Sequence, residues 1–186
     1  LKQGRVTEIS HNGKMLPGQA APRPAVVNDE VRPGTAVHTG DESRTELTFA
    51  DLTIARLGAN TIFSFNEAQR SIDLSSGAVL LRVPKNSGGA KINTAAVTAA
   101  ITGTTMLAEY HANKVYKFVM LEGTATICPA HGSGECVHLG PEQMLTGVPG
   151  KAVGQPVTVD LKGLGRRSQL SERLRPAGWR DATPRH

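Results

Sequence analysis

Apolar side chains recur at every second position through most of this chain. Val79, Leu81 and Val83 fall on one face and Arg82 on the other. Val97, Ala99 and Ile101 share a face in the same way. Period two is the signature of a strand, whose successive side chains point to opposite sides of a sheet. In residues 114–121, Tyr116, Phe118 and Met120 lie on one side, and Val115, Val119 and Leu121 lie on the other with Lys117. A segment apolar on both faces is expected at the centre of the sheet.

Further strands are predicted at residues 5–9, 43–49, 53–57 and 61–65, with a Gly-, Pro- and Ala-rich loop over 11–24. From Val31 to Val159, short alternating runs close on Gly, Asn or Pro turns. A loose phrase recurs at Leu74, Leu121 and Leu139, read each time as a strand end, a glycine turn (Gly77, Gly123, Gly140) and a new strand. Its spacing is 47 and then 18 residues, so no fixed-period solenoid is established. The fold class is all-β: a compact β-sandwich or a short β-solenoid-like stack of hairpins, with a short basic C-terminal tail.

At 186 residues the chain fits one domain, over 1–160, with an appendage over 161–186. Hydrophobic residues make up 39% and aromatics 4%, so the core must be built from Val, Leu, Ile and Ala. No apolar run approaches the roughly 20 residues that a membrane-spanning helix needs. A chain that begins Leu1-Lys2 is expected to be a processed product from which an export signal has been removed.

The net charge of +5 is unevenly placed. Residues 161–186 carry seven basic and two acidic residues, whereas 1–160 carry fourteen of each. The body therefore lacks the basic excess expected of a nucleic-acid-binding domain. Within the tail, residues 168–174 could form two helical turns, with Ser168 as N-cap, Leu170 and Leu174 on one face, and Pro176 ending them. Residues 177–186 are expected to be mobile. Arg166, Arg167, Arg173 and Arg175 are candidate contacts to an anionic polymer, with a solubilising disordered terminus as the alternative.

Cys128 and Cys136 flank a seven-residue loop between predicted strands at 124–127 and 137–139. Paired strands would let the two thiols bridge, and two cysteines suit an oxidising compartment. The competing readings are a metal site using His131 and His138 as well, of ligand types that suit zinc, and free thiols. His38, Asp41 and Ser43 invite a nucleophile–base reading, but no G-x-S-x-G elbow is present, and Asp and Ser serve turns by bonding nearby amides. Arg44 and Glu46 would share a strand face as a solvated pair. Ser87-Gly88-Gly89 precedes a strand rather than a helix, so it reads as a hairpin loop and not as a phosphate cradle. Gly103, between Thr102 and Thr104, reads as a bulge or bend. No catalytic constellation, cofactor or metal is expected.

Residues 37–57, from Val-His-Thr-Gly-Asp-Glu-Ser-Arg-Thr to Ala-Arg-Leu, resemble the FecR domain family. So do residues 93–104, Leu121-Glu-Gly123, and Leu139-Gly-Pro-Glu-Gln143, in the family's order from about 28 to 148. The matching positions include Thr39, Gly40, Asp41, Ser43, Arg44, Gly103, Thr104 and Gly123. Leu52 stands where the family usually has Gly, which implies a different turn, and Ala95 stands where Pro is common. The resemblance implies an extracytoplasmic, non-catalytic β domain. Its best-known members relay a signal from an outer-membrane receptor to a sigma factor, using a cytoplasmic anti-sigma region and one membrane helix. Neither segment is found in these 186 residues. The expected role is a periplasmic or otherwise exported module that senses or binds an unidentified envelope protein. The alternative is a module for carbohydrate or peptidoglycan. Aromatic platforms for sugar are scarce: Trp179, Tyr110, Tyr116 and four Phe. An enzyme is the least supported class.

Overall fold

The computed structural model describes residues 3–18, 20–112, 114–131 and 134–160. The expected tail helix and the four tail arginines lie outside these residues. Among the described residues there is no helix, so none is long and apolar enough to cross a membrane.

Fifteen strands join into one mixed sheet that folds over on itself. Its registers divide it into two facing layers. The first layer contains β2 (Gly13–Leu16), β3 (Arg23–Pro24), β5 (Ala36–Thr39), β8 (Ile62–Asn66), β10 (Ala90–Asn93) and β13 (Val137–Leu139). The second contains β1 (Gly4–Ser10), β4 (Glu30–Val31), β6 (Arg44–Phe49), β7 (Ile54–Leu57), β14 (Gln143–Gly147) and β15 (Val157–Thr158). Three long strands, β9 (Ser71–Arg82), β11 (Val97–Tyr110) and β12 (Tyr116–Pro129), run through both. The start of β9 pairs with β8 and β10, and its end with β7 and β11. Likewise β11 pairs first with β10 and then with β9, while β12 pairs first with β14 and then with β13.

Each long strand turns between layers at a glycine of positive φ: Gly77 (98°), Gly103 (53°) and Gly123 (84°). The glycine turns expected at Gly77 and Gly123 are therefore bends within continuous strands. Only Gly140 lies between two strands. The reason at Gly77 is close approach: a Cβ there would sit 2.5 Å from the Thr61 Cα and 2.8 Å from the Asn60 carbonyl oxygen. A Cβ on Gly123 would meet the Gly103 carbonyl at 2.8 Å, so the corners of β11 and β12 nest together.

The expected hairpin loop at Ser87–Gly89 is also corrected. Strand β10 pairs parallel to the start of β9, Lys91 opposite Ser71. Residues 83–89 thus carry the chain from one layer back to the other, completing one solenoid-like coil inside a two-layer fold. The loop expected over 11–24 contains β2 and β3. Met15 is buried there and β2 pairs with β5, so partner strands override the local Gly and Pro content.

The core lies between the layers. Phe49 on β6 packs edge-on against Phe65 on β8, ring centroids 5.0 Å apart, with Phe63 at 6.5 Å. Leu47, Leu57, Val79, Leu81, Ala99, Phe118 and Ile127 point into the same core. Each large side chain buried in this way contributes roughly 1.5–3 kcal/mol. The segment expected to be central, β12, buries Tyr116, Phe118, Val119 and Met120.

Candidate functional site

The turn entering β6 is held by hydroxyl and backbone contacts. Thr39, fully buried, donates its hydroxyl to the Gly58 carbonyl at 2.5 Å and accepts the Thr61 amide at 2.9 Å. Gly40 receives the amides of Ser43 and Asn60 on its carbonyl and donates its own to Asn12. Ser43 Oγ accepts the Asn12 amide and donates to the Asp41 carbonyl, both at 3.0 Å. The Asp41 carboxylate accepts from the Asn60 amide group at 2.8 Å. The Ser43 hydroxyl, buried and committed to backbone groups, is not bonded to His38, so the geometry forms no nucleophile–base pair. Next to this knot, Thr61 Oγ1 accepts the Ala78 amide at 3.0 Å and faces the Ala78 carbonyl at 3.1 Å. Thr39 and Thr61 therefore tie the turn to the corner of β9.

Arg44 lies half-buried on β6, opposite Ser10 of β1. Glu46 pairs with Arg56 across β6 and β7 at 2.8 Å. Gly103 sits at a register shift between Thr102 and Thr105, and Thr104 is buried beside it.

The outer faces of the two layers differ in chemistry. On the second layer, antiparallel partners line up side by side: Leu80 with Leu107, Leu107 with Val119, Val119 with Met144, and Met144 with Val157. Partners in such a ladder share a face, so five strands present one continuous apolar row. It is half-buried along most of its length and half-exposed at Val157, on the edge strand. Ion pairs Glu46–Arg56 and Glu109–Lys117 (3.3 Å) flank it.

On the first layer the outer face is polar. A groove of about 350 Å³ is lined by Arg70, Gly88, Gly89, Lys91, Ala100, Thr102, Thr124 and Thr126, among others, with no carboxylate in its lining. Sequence reasoning singled out neither this groove nor the apolar row. Alternation shows which face a residue occupies, but cross-strand register decides its neighbours.

Residues 35–126 match the model of the FecR protein family. This stretch is a FecR domain. It begins just before β5 and ends within β12, so it contains the turn knot apart from Asn12, all three glycine bends and the polar groove. Leu52, which departs from the family pattern, lies within the matched residues. Leu52 itself adopts φ 67°, and its amide bonds the Phe49 carbonyl at 2.9 Å. The leucine there takes a left-handed conformation, which glycine adopts freely, and points to solvent, 71% exposed.

Two crystal structures of a candidate anti-sigma factor from Parabacteroides distasonis, at 2.50 and 1.65 Å resolution, resemble the fold over part of the chain. Each superposes with a TM-score of 0.59 at 13% identity, covering 68% of this chain. The chain spans only 61% of the length of those proteins. At that identity the likeness shows the fold. No match was found among curated proteins.

Beyond the FecR domain, Cys128 and Cys136 form a disulfide, with Cα atoms 4.2 Å apart. The flanking strands pair, Ile127 opposite Val137. The alternative metal site thus loses its two thiolate ligands, and His138 Nδ1 lies 3.0 Å from the Thr126 hydroxyl. Among the described residues no other cluster could hold a metal.

Proposed function

We propose that this chain is a non-catalytic sensing or signalling module of the cell envelope that works by binding another protein there. The observation that carries the reading is the apolar row of Leu80, Leu107, Val119 and Met144, ending at β15, whose one partner strand among the described residues is β14. Leu80, Leu107 and Val119 lie within the FecR stretch, and the fold is shared over part of the chain with a candidate anti-sigma factor. An apolar row beside a strand edge with no second partner among the described residues suits an extended polypeptide, which can add backbone hydrogen bonds along the edge and side chains along the row. The disulfide suits an oxidising, extracytoplasmic location. Carbohydrate binding by ring stacking has less support, because Tyr110 and Tyr116 are buried.

A photo-crosslinking residue placed at Leu107 tests the proposal in envelope extract. The expected result is a discrete protein adduct that Leu80→Glu abolishes while the fold is retained. No adduct at Leu107, or the same adducts from a crosslinker at Thr102 on the other face, would overturn it.

A further inference from the structure

The polar groove lies on the opposite side of the domain from the row assigned to protein binding. Its main wall is a single guanidinium held in place by unusual backbone. Arg70 has φ 52°, in the left-handed region that non-glycine residues seldom adopt. Gly88 and Gly89 face it with φ 84° and 78°. The guanidinium lies flat against Gly88, where a Cβ would stand 2.6 Å from one Nη, 2.9 Å from Cζ and 3.0 Å from the other Nη. Gly89 is wedged as tightly on its other side, where a Cβ would stand 2.7 Å from the Ile101 carbonyl. The Arg70 Nε donates to the Gly89 carbonyl at 3.3 Å. That is its one side-chain bond among the described residues, so both Nη groups are left as free donors.

Lys91 is the second cation. Its amide is bonded to the Arg70 carbonyl at 3.0 Å, which fixes the two residues side by side. Register then sets Lys91 beside Ala100, Ala100 beside Thr126, and Thr102 beside Thr124. The floor is therefore small and apolar at Ala100 and carries hydroxyls around it. Arg70 closes the turn from β8 into β9, Gly88 and Gly89 end the crossover into β10, and these three left-handed residues set the guanidinium against the Gly88 backbone. Backbone strain of this kind persists where the surroundings over-determine it, often at binding sites.

We propose that this groove binds an oxyanion, a phosphate or carboxylate group. Arg70 supplies a planar fork of donors, Lys91 a point charge, and the threonine hydroxyls neutral partners. The group could be a free small anion or one repeated along an acidic glycan.

The test is titration calorimetry of the full chain with inorganic phosphate, citrate and oligogalacturonate. At least one probe should bind, and Arg70→Ala should weaken it by about tenfold or more, consistent with loss of a charge-assisted fork. Arg70→Lys should recover only part of the loss, and Lys91→Ala should weaken binding without altering the fold. Equal affinity per charge for phosphate and oligogalacturonate supports a free-anion site, and tighter binding of the oligomer supports a glycan site. Binding that survives both Arg70→Ala and Lys91→Ala overturns the proposal, as does no binding by any probe. It is also overturned if binding is lost only when Arg166, Arg167, Arg173 and Arg175 are changed to Gln.

Discussion

Replacing Thr61 by Val tests whether the hydroxyl ties between turn and corner stabilise this domain. The two side chains have nearly the same shape, so the change removes hydrogen bonds without opening a cavity. Thr61 is fully buried, and its Oγ1 accepts the Ala78 amide at 3.0 Å. With Val, that amide remains buried beside the Gly77 bend and has no acceptor. An orphaned buried donor costs about 1–3 kcal/mol, and the lost hydroxyl bond adds about 1 kcal/mol at most. The Ala78 carbonyl is not orphaned, because the Gly58 amide also donates to it at 2.9 Å. The net expectation is a loss of about 2–3 kcal/mol. For a domain of this size that lowers Tm by roughly 5–10 °C. In urea the midpoint should fall with an unchanged m-value. Thr146→Val, on the exposed face of β14, is the control and should stay within about 0.5 kcal/mol. Thr39→Val should couple to Thr61→Val by about 0.5 kcal/mol or more, since Thr39 Oγ1 accepts the Thr61 amide. If Thr61→Val matches the Thr146 control, the ties do not hold the corner and the reasoning fails.

Leu52→Gly should stabilise the domain by about 0.5–1 kcal/mol, because the left-handed leucine costs more than the extra chain entropy of glycine; a lower urea midpoint would count against this. Reducing Cys128–Cys136, or changing both to Ser, should cost about 2–3 kcal/mol by the loop-entropy relation, visible as a lower Tm with reductant. The Asp29 carboxyl is held below its ordinary pKa, chiefly by the Arg23 hydrogen bond and also by the Val26 amide, while burial opposes the shift. Its stabilisation is therefore fully present above the unfolded Asp pKa of about 3.9 and is lost as pH falls through the lower folded value. Asp29→Asn should flatten stability against pH in that acid range, and an unchanged profile would show that the Arg23 contact contributes nothing.

Strands were legible where alternation was strict. Val79 and Leu81, Val97 to Ile101, and Tyr116 to Met120 face inward as their spacing requires. Glycine was the ambiguous signal. The same pattern of apolar run, Gly and apolar run marks a turn at Gly140 and a bend at Gly77 and Gly123, and only the partners of the flanking residues separate the two. At Ser87–Gly89 the local sequence suits a hairpin, yet β10 pairs parallel with residues twenty positions earlier. The polar groove was illegible for the same reason. Arg70 and Lys91 each read as an ordinary surface cation, and non-local register makes them neighbours. The turn residues Thr39, Gly40 and Ser43 were visible as a motif, whereas Thr61, which completes the tie to Ala78, carries no local signal.

Because β9, β11 and β12 each belong to both layers, no pair of layers can slide past one another as two stacked plates could. Any shear across the domain is borne by three covalent backbones, β9 crossing at Gly77 and β11 and β12 at the nested bends of Gly103 and Gly123. A load applied at the apolar row of one face is therefore felt at the groove on the other, through chain rather than through side-chain packing alone. The domain behaves mechanically as a folded strap, whose two sides are lengths of the same material.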